Sequence, residues 1–192
     1  MVHVSFAPPE TTQVMELMRA GDVVTHCHNG HTLGLVDSGY SEKPGKLKPG
    51  VAEARARGVL FDVGHGSGSF NFNAARNAIQ NGLVPDTIST DLHADCINGP
   101  TFDLPTTLTK YLHLGLSFDD VLLRATANPA RIINRVPGMG SLTMGGPADV
   151  ALLALEDGEF RLVDSQRNAA TVRQRIVSRL TICRGRRLTV LV

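Results

Sequence analysis

Three histidines and an aspartate recur at comparable places along the chain. His3 lies in MVHVSF, His26 closes DVVTH, His65 comes just past GVLFDV, and Asp91 follows DTIST. Neutral imidazoles with a carboxylate are the donor set that a borderline divalent ion such as zinc takes up. A lone histidine near a strand end is usually structural, and a lone aspartate there is more often a helix cap. Four in series, each delivered by a separate apolar run, point to a metal site. His26 and His28 also form an H-x-H pair. Spacing alone leaves open whether they act together or His26 joins ligands from the other runs.

The GHGSGSF stretch at 64–70 has rival readings. Its glycines are spaced G-x-G-x-G, not the G-x-G-x-x-G of a dinucleotide loop, and no Gly-Lys-Ser/Thr follows as a P-loop requires. Ser67 is not framed as G-x-S-x-G, so a nucleophile elbow fails as well. What remains is a tight loop with free backbone N–H groups, suited to orienting a carbonyl or carboxylate.

To bring these groups together, the apolar runs must lie side by side. MVHVSF reads as a short strand that Pro8 and Pro9 break. Val14, Leu17 and Met18 recur at helical spacing up to Gly21, and DVVTH is the next strand. Residues 29–50 are rich in Gly, Lys, Ser and Pro without a period, and so predict a long functional loop. VAEARARG predicts a short helix, GVLFDV a strand buried on both faces, residues 71–81 a helix, and DTIST a strand. This alternation argues for parallel βα units, in which chemistry assembles at the C-terminal ends of the strands.

Beyond Asp91, Thr107, Leu108, Tyr111 and Leu112 share one helical face. Ser117 to Asp120 resembles a capping box, and Pro129 predicts the start of a further helix. Near residue 137 the character changes to a Gly/Pro linker. ADVALLAL, a turn at Glu156-Asp157-Gly158 and EFRLVD then read as a hairpin, with more short strands to the end. The expected organisation is a βα part over 1–136 and a β tail over 137–192.

The totals narrow the function classes. The chain has 192 residues and a formal net charge of +1, which gives no field for nucleic acid or an anionic membrane. RGRR at 184–187 reads as a solvated strand end. No apolar run reaches the ~20 residues of a membrane span. Cys27, Cys96 and Cys183 are odd in number and form no C-x-x-C, which fits a reducing compartment and a cytoplasmic protein.

VVTHC-x-NG, FDVGHG-x-GSF and TISTDLH are long, specific strings, and with NPAR and GSLTMGGPADVALL they resemble the amidohydrolase superfamily. More narrowly, the chain is similar to the dihydroorotase-like, metal-dependent deacetylase branch. The resemblance covers essentially the whole chain. It implies a partial (β/α)8 TIM-type barrel, strands 5–8 only, followed by part of a small β-sandwich. VVTHC then matches strand 6 and its histidine is His26, while His28 stays outside the ligand set.

On this resemblance His3, His26 and Asp91 are metal ligands, and Asp91 also moves the proton of the attacking water. His65, Gly66 and His93 would bind substrate. The expected cofactor is a divalent metal, zinc before manganese or cobalt. The expected substrate is a small acetylated compound or cyclic amide, hydrolysed at an amide or ester bond. The H-x-H pair and bridging lysine of the family's first four strands have no counterpart here, and none of Lys43, Lys46, Lys48 or Lys110 is placed to substitute. The alternative is a non-catalytic remnant that needs a missing N-terminal half. Open barrel edges predict self-association.

Overall fold

The computed structural model describes residues 1–4 and 7–188. Ser5 and Phe6, at the end of the first expected strand, lie outside the described residues, as do 189–192. The four expected parallel segments occur in the expected order but are much shorter than their apolar runs. Val2 bridges Val24; β1 (Val23–Val24) pairs in parallel with β2 (Leu60–Phe61); and Asp62 bridges Thr87. Backbone bonds extend the ladder toward the strand ends, with His65 N–H donating to Ser89 O at 3.2 Å and Gly66 N–H to Thr90 O at 2.8 Å. The regular strands are cut short where the chain turns left-handed, at His26 (φ 61), Gly64 (φ 47) and Asp91 (φ 45).

The helices are α1 (Thr11–Leu17), α2 (Val51–Ala56), α3 (Phe72–Gln80), α4 (Leu104–His113), α5 (Phe118–Ala125) and α6 (Ala127–Ile133). The predicted face of Thr107, Leu108 and Tyr111 is buried, whereas in the first helix Val14 is buried but Leu17 is exposed, because the helix ends there and Met18 turns inward from an extended C-cap. Their starts have local chemical causes. Asn71 Oδ1 accepts from the N–H groups of Asn73 and Ala74, Asp103 Oδ1 from Thr106, and Ser117 Oγ from Asp120. Pro129 does not open the last helix; α6 begins two residues earlier. The 29–50 segment lacks regular elements but is packed, not loose, with Leu35 and Val36 both buried.

The tail departs from expectation at its turn. β3 (Val150–Val163) runs straight through Glu156-Asp157-Gly158, which form an irregularity in its antiparallel register with β4 (Ala169–Cys183). The strand continues because Phe160 and Leu162 still have an apolar surface to cover. The actual turn is Asp164–Asn168, where the buried Asp164 Oδ1 accepts from the N–H groups of Gln166 and Asn168, both at 2.9 Å. β5 (Arg186–Leu188) is the exposed end that RGRR predicted.

Two apolar clusters fill the interior. One joins α1, α2 and β2 through Met15, Val51, Ala54 and Phe61. The other joins Phe70, α3 and α4 to Leu162, Val172 and Ile176 of the tail. The tail is also bonded in: Ile176 N–H donates to Thr109 Oγ1 at 2.9 Å, and Asn71 Nδ2 donates to Asp164 Oδ2 at 2.9 Å.

Candidate active site at the strand ends

A cleft of about 490 Å³ opens at the C-terminal ends of the parallel segments. His3, His26, Asn29, His31, Asp91 and His93 line it, with Ser67, Gly68 and Ser69 on one side. Three residues expected to ligate, and one expected to hold substrate, therefore face one opening. His3 is exposed and His26 is nearly covered, with their ring centroids 4.2 Å apart, edge to face. Burial lowers the His3 pKa first and the neighbouring His26 lowers it further, while the Asp91 carboxylate works the other way.

His26 Nδ1 donates to Gly64 O at 2.5 Å. That bond fixes the tautomer and leaves Nε2 as the free lone pair, the usual arrangement behind a metal-ligating imidazole. Gly64 permits this approach, since a Cβ there would lie 2.3 Å from Thr25 Oγ1 and 2.8 Å from His26 Nδ1. Non-glycine residues with positive φ are uncommon and concentrate at functional sites. His26 and Asp91 are both of this kind.

The remaining expected site residues divide. Gly66 (φ 53) lies against Asp91, so closely that a Cβ would be 2.7 Å from Oδ2. His93 is at the exposed rim, and its N–H contacts Cys96 Sγ at 3.3 Å. His65 does not line the cleft. Its ring is fully buried beneath the loop, Nδ1 meets Gly66 O at 2.9 Å and Thr101 Oγ1 at 3.0 Å, and Lys110 Nζ is 2.6 Å from Nε2. With both nitrogens hydrogen-bonded under the loop, this ring is not presented to the cleft. His28 is buried as well, bonded to Tyr111 OH at 2.7 Å, and burial takes its pKa down to about 4.

Sequence reasoning missed three contributors. Asp62, inside the apolar GVLFDV run, is buried and accepts from Thr25 Oγ1 (2.8 Å), Thr87 Oγ1 (2.6 Å) and Ser89 Oγ (2.8 Å). It stitches three parallel segments together just under His26. Polar residues alternating as Thr87, Ser89 and Asp91 were the available signal for an inward polar face. His31 Nε2–H donates to Gly68 O at 3.2 Å, so its Nδ1 accepts from Tyr40 OH at 2.8 Å. The 29–50 segment is thereby strapped to the glycine loop across the cleft. Asn29 Nδ2 holds His26 O at 2.8 Å.

The profile of the amidohydrolase family matches residues 3–188. The chain belongs to the amidohydrolase family. A curated deacetylase of Enterococcus faecalis is 34% identical over 186 residues, covering 96% of this chain and 49% of the relative. A crystal structure of an adenine deaminase superposes with TM-score 0.89 at 34% identity, over 97% of this chain and 50% of that one. A dihydroorotase structure superposes with TM-score 0.82 at 34% identity, with the same coverage. Family membership implies a fold of the TIM-barrel type. The chain spans about half the length of the relatives it matches.

The donor chemistry suits a divalent ion, but among the described residues no three His, Cys, Asp or Glu side chains close around one point. His3 and His26 offer a pair of imidazoles, and Asp91 offers a carboxylate on the same wall. The arrangement is an open, partial donor set, short of a finished cage. No described helix is long and apolar enough to cross a membrane.

Proposed function

We propose that this chain forms the water-activating side of a metal-dependent deacetylase that cleaves an acetyl amide or ester of a small molecule. The observation that carries this reading is the gathering of His3, His26 and Asp91 on one cleft, with the backbone of the last two held left-handed. His3 and His26 would hold the ion, zinc in preference to manganese or cobalt, with Asp91 as a further ligand. A bound divalent ion supplies a water whose pKa falls to about 7.

The chain's own residues would do the rest. Asp91 takes a proton on a carboxylate oxygen and returns it to the leaving group. The N–H groups of Ser67 and Gly68 carry no hydrogen bond among the described residues and border the cleft. They would orient the substrate carbonyl, with His93 at the rim. In fold terms, residues 1–136 would be strands 5–8 of the barrel and 137–192 part of a β-sandwich.

A second reading is favoured by the open donor set: a non-catalytic fragment that binds metal weakly and works only when its inner face is covered. That inner face is a cavity of about 500 Å³ whose mouth carries the exposed apolar residues Met1, Leu104 and Ile133. Exposed apolar surface beside short strand edges favours self-association.

Elemental analysis of the purified chain and of His26→Ala tests the metal assignment. Bound zinc that disappears in the variant supports it, and unchanged stoichiometry removes His26 from the site. An acetyl-ester and acetyl-amide panel then separates the two readings, since metal without hydrolysis favours the fragment. Light scattering that shows a monomer would remove self-association.

A further inference from the structure

Lys110 is fully buried on α4 and, among the described residues, has no carboxylate within bonding distance. Its Nζ lies 2.6 Å from His65 Nε2 and 2.8 Å from Pro100 O, and 5.5 Å from the centre of the Phe70 ring. Lysine is among the residues least often fully buried, so its place needs a cause. Gly66 O can only accept, which puts the His65 proton on Nδ1 and leaves Nε2 to accept from the Lys110 amine. Nδ1–H then points to Gly66 O, 2.9 Å away, beside Thr101 Oγ1–H, which donates to the same oxygen at 2.7 Å. Gly66 N–H donates to Thr90 O at 2.8 Å, and the Gly66 Cα faces the Asp91 carboxylate with no room for a methyl group.

We propose that Lys110 is a positioning residue for Asp91: by bonding His65 it fixes Gly66, and Gly66 sets where the Asp91 carboxylate stands. The claim deepens the functional reading above and rests on it where zinc is concerned. Each link is a hydrogen bond or a van der Waals limit, running from α4 through the His65 ring to the strand end. Burial brings the Lys110 pKa down to about 7, with Asp164 and Asp103 pulling it back up. Burial and the nearby Lys110 charge bring His65 down to about 3. The charged amine is therefore held where burial disfavours it, and its compensation is the pair of bonds it makes to His65 and Pro100.

Lys110→Met keeps the side-chain length and removes the donor. Thr101→Val removes the second brace at nearly constant volume and serves where Lys110→Met does not fold. Amide exchange at His65 and Gly66 is expected to quicken about tenfold or more, with α3 and β3 amides unchanged, because only a local unit is loosened. Zinc affinity should fall about tenfold, as when a group behind a ligand is lost, and Lys110→Gln should recover part of both effects. Unchanged exchange, or exchange quickened evenly over the molecule, would overturn the proposal. So would faster local exchange with zinc affinity intact. If the unaltered chain binds no zinc, the metal reading fails by itself. The Asp91 amide and carboxyl NMR signals then decide: movement in the variants supports the positioning role, and unchanged signals overturn it.

Discussion

The strand-end rim and the layer beneath it both carry histidines, and His26 and His28, two residues apart, fall on opposite sides of that divide. His26 has one nitrogen bonded to Gly64 O and the other without a hydrogen-bond partner among the described residues, in a side chain that lines the cleft. His28 has Tyr111 OH on one nitrogen and Leu83 O, at 3.4 Å, on the other. The same contrast separates Asp91, on the open wall, from Asp62, which receives three hydroxyl donors. Residue type does not separate the two layers; a place on the cleft wall and, at His26 and Asp91, a left-handed backbone do.

The largest break in that comparison should come at Asp91. Asp91→Asn keeps the shape and removes the proton acceptor, and hydrolysis of an acetyl ester should drop by about 10²–10⁴-fold. The urea midpoint should stay where it was. A variant retaining full turnover would move the chemistry away from the rim.

The buried layer should answer to pH instead. His65 stays neutral in the fold down to about 3, whereas the unfolded chain protonates it near 6.5. Unfolding therefore takes up a proton in that window, and stability falls as pH drops from 6.5 toward 3. Lys110, at about 7 in the fold and 10.5 when unfolded, acts in the same sense one window higher. Its contribution rises with pH from 7 to 10.5. Urea midpoints at pH 7 and 9 should differ more in the unaltered chain than in Lys110→Met. Equal differences would show that this amine does not titrate between the two states.

Much of this was legible beforehand. β-branched runs ending in His or Asp gave the order of the parallel segments, and the long family strings singled out His26 and Asp91. Asp62 was hidden because one carboxylate inside GVLFDV does not disturb an apolar run, and its three hydroxyl donors come from other segments. Lys110 was hidden for a related reason. In a helix such as LTKYL a lysine reads as solvated, and only the packing of α4 over the glycine loop shows otherwise. Glu156-Asp157-Gly158 carried a strong local turn signal. The pairing of Phe160 with Val172, and the apolar cover for Leu162, overrode it.

Gly66→Ala sharpens the contrast from the rim side. Its backbone is left-handed at φ 53, and the new methyl would press on Asp91 Oδ2 from 2.7 Å. The strained conformation alone should cost about 1–3 kcal/mol, read from urea unfolding, and bound zinc should fall with it. Zinc retained at full stoichiometry would mean that the carboxylate can step aside without consequence.

His28→Leu tests the other side with a comparable or smaller effect. Leucine fills most of the imidazole volume but leaves Tyr111 OH and Leu83 O without this partner in a fully buried place. An unsatisfied buried group costs about 1–3 kcal/mol, and Leu83 O loses only a 3.4 Å contact, so the phenol should dominate. Adding Tyr111→Phe to His28→Leu removes the stranded hydroxyl and should recover part of the loss. Bound zinc should remain unchanged throughout, because no atom of His28 reaches the cleft. If His28→Leu emptied the metal site while His26→Ala left it filled, the H-x-H pair would have to be read the other way round, with the buried ring as the ligand.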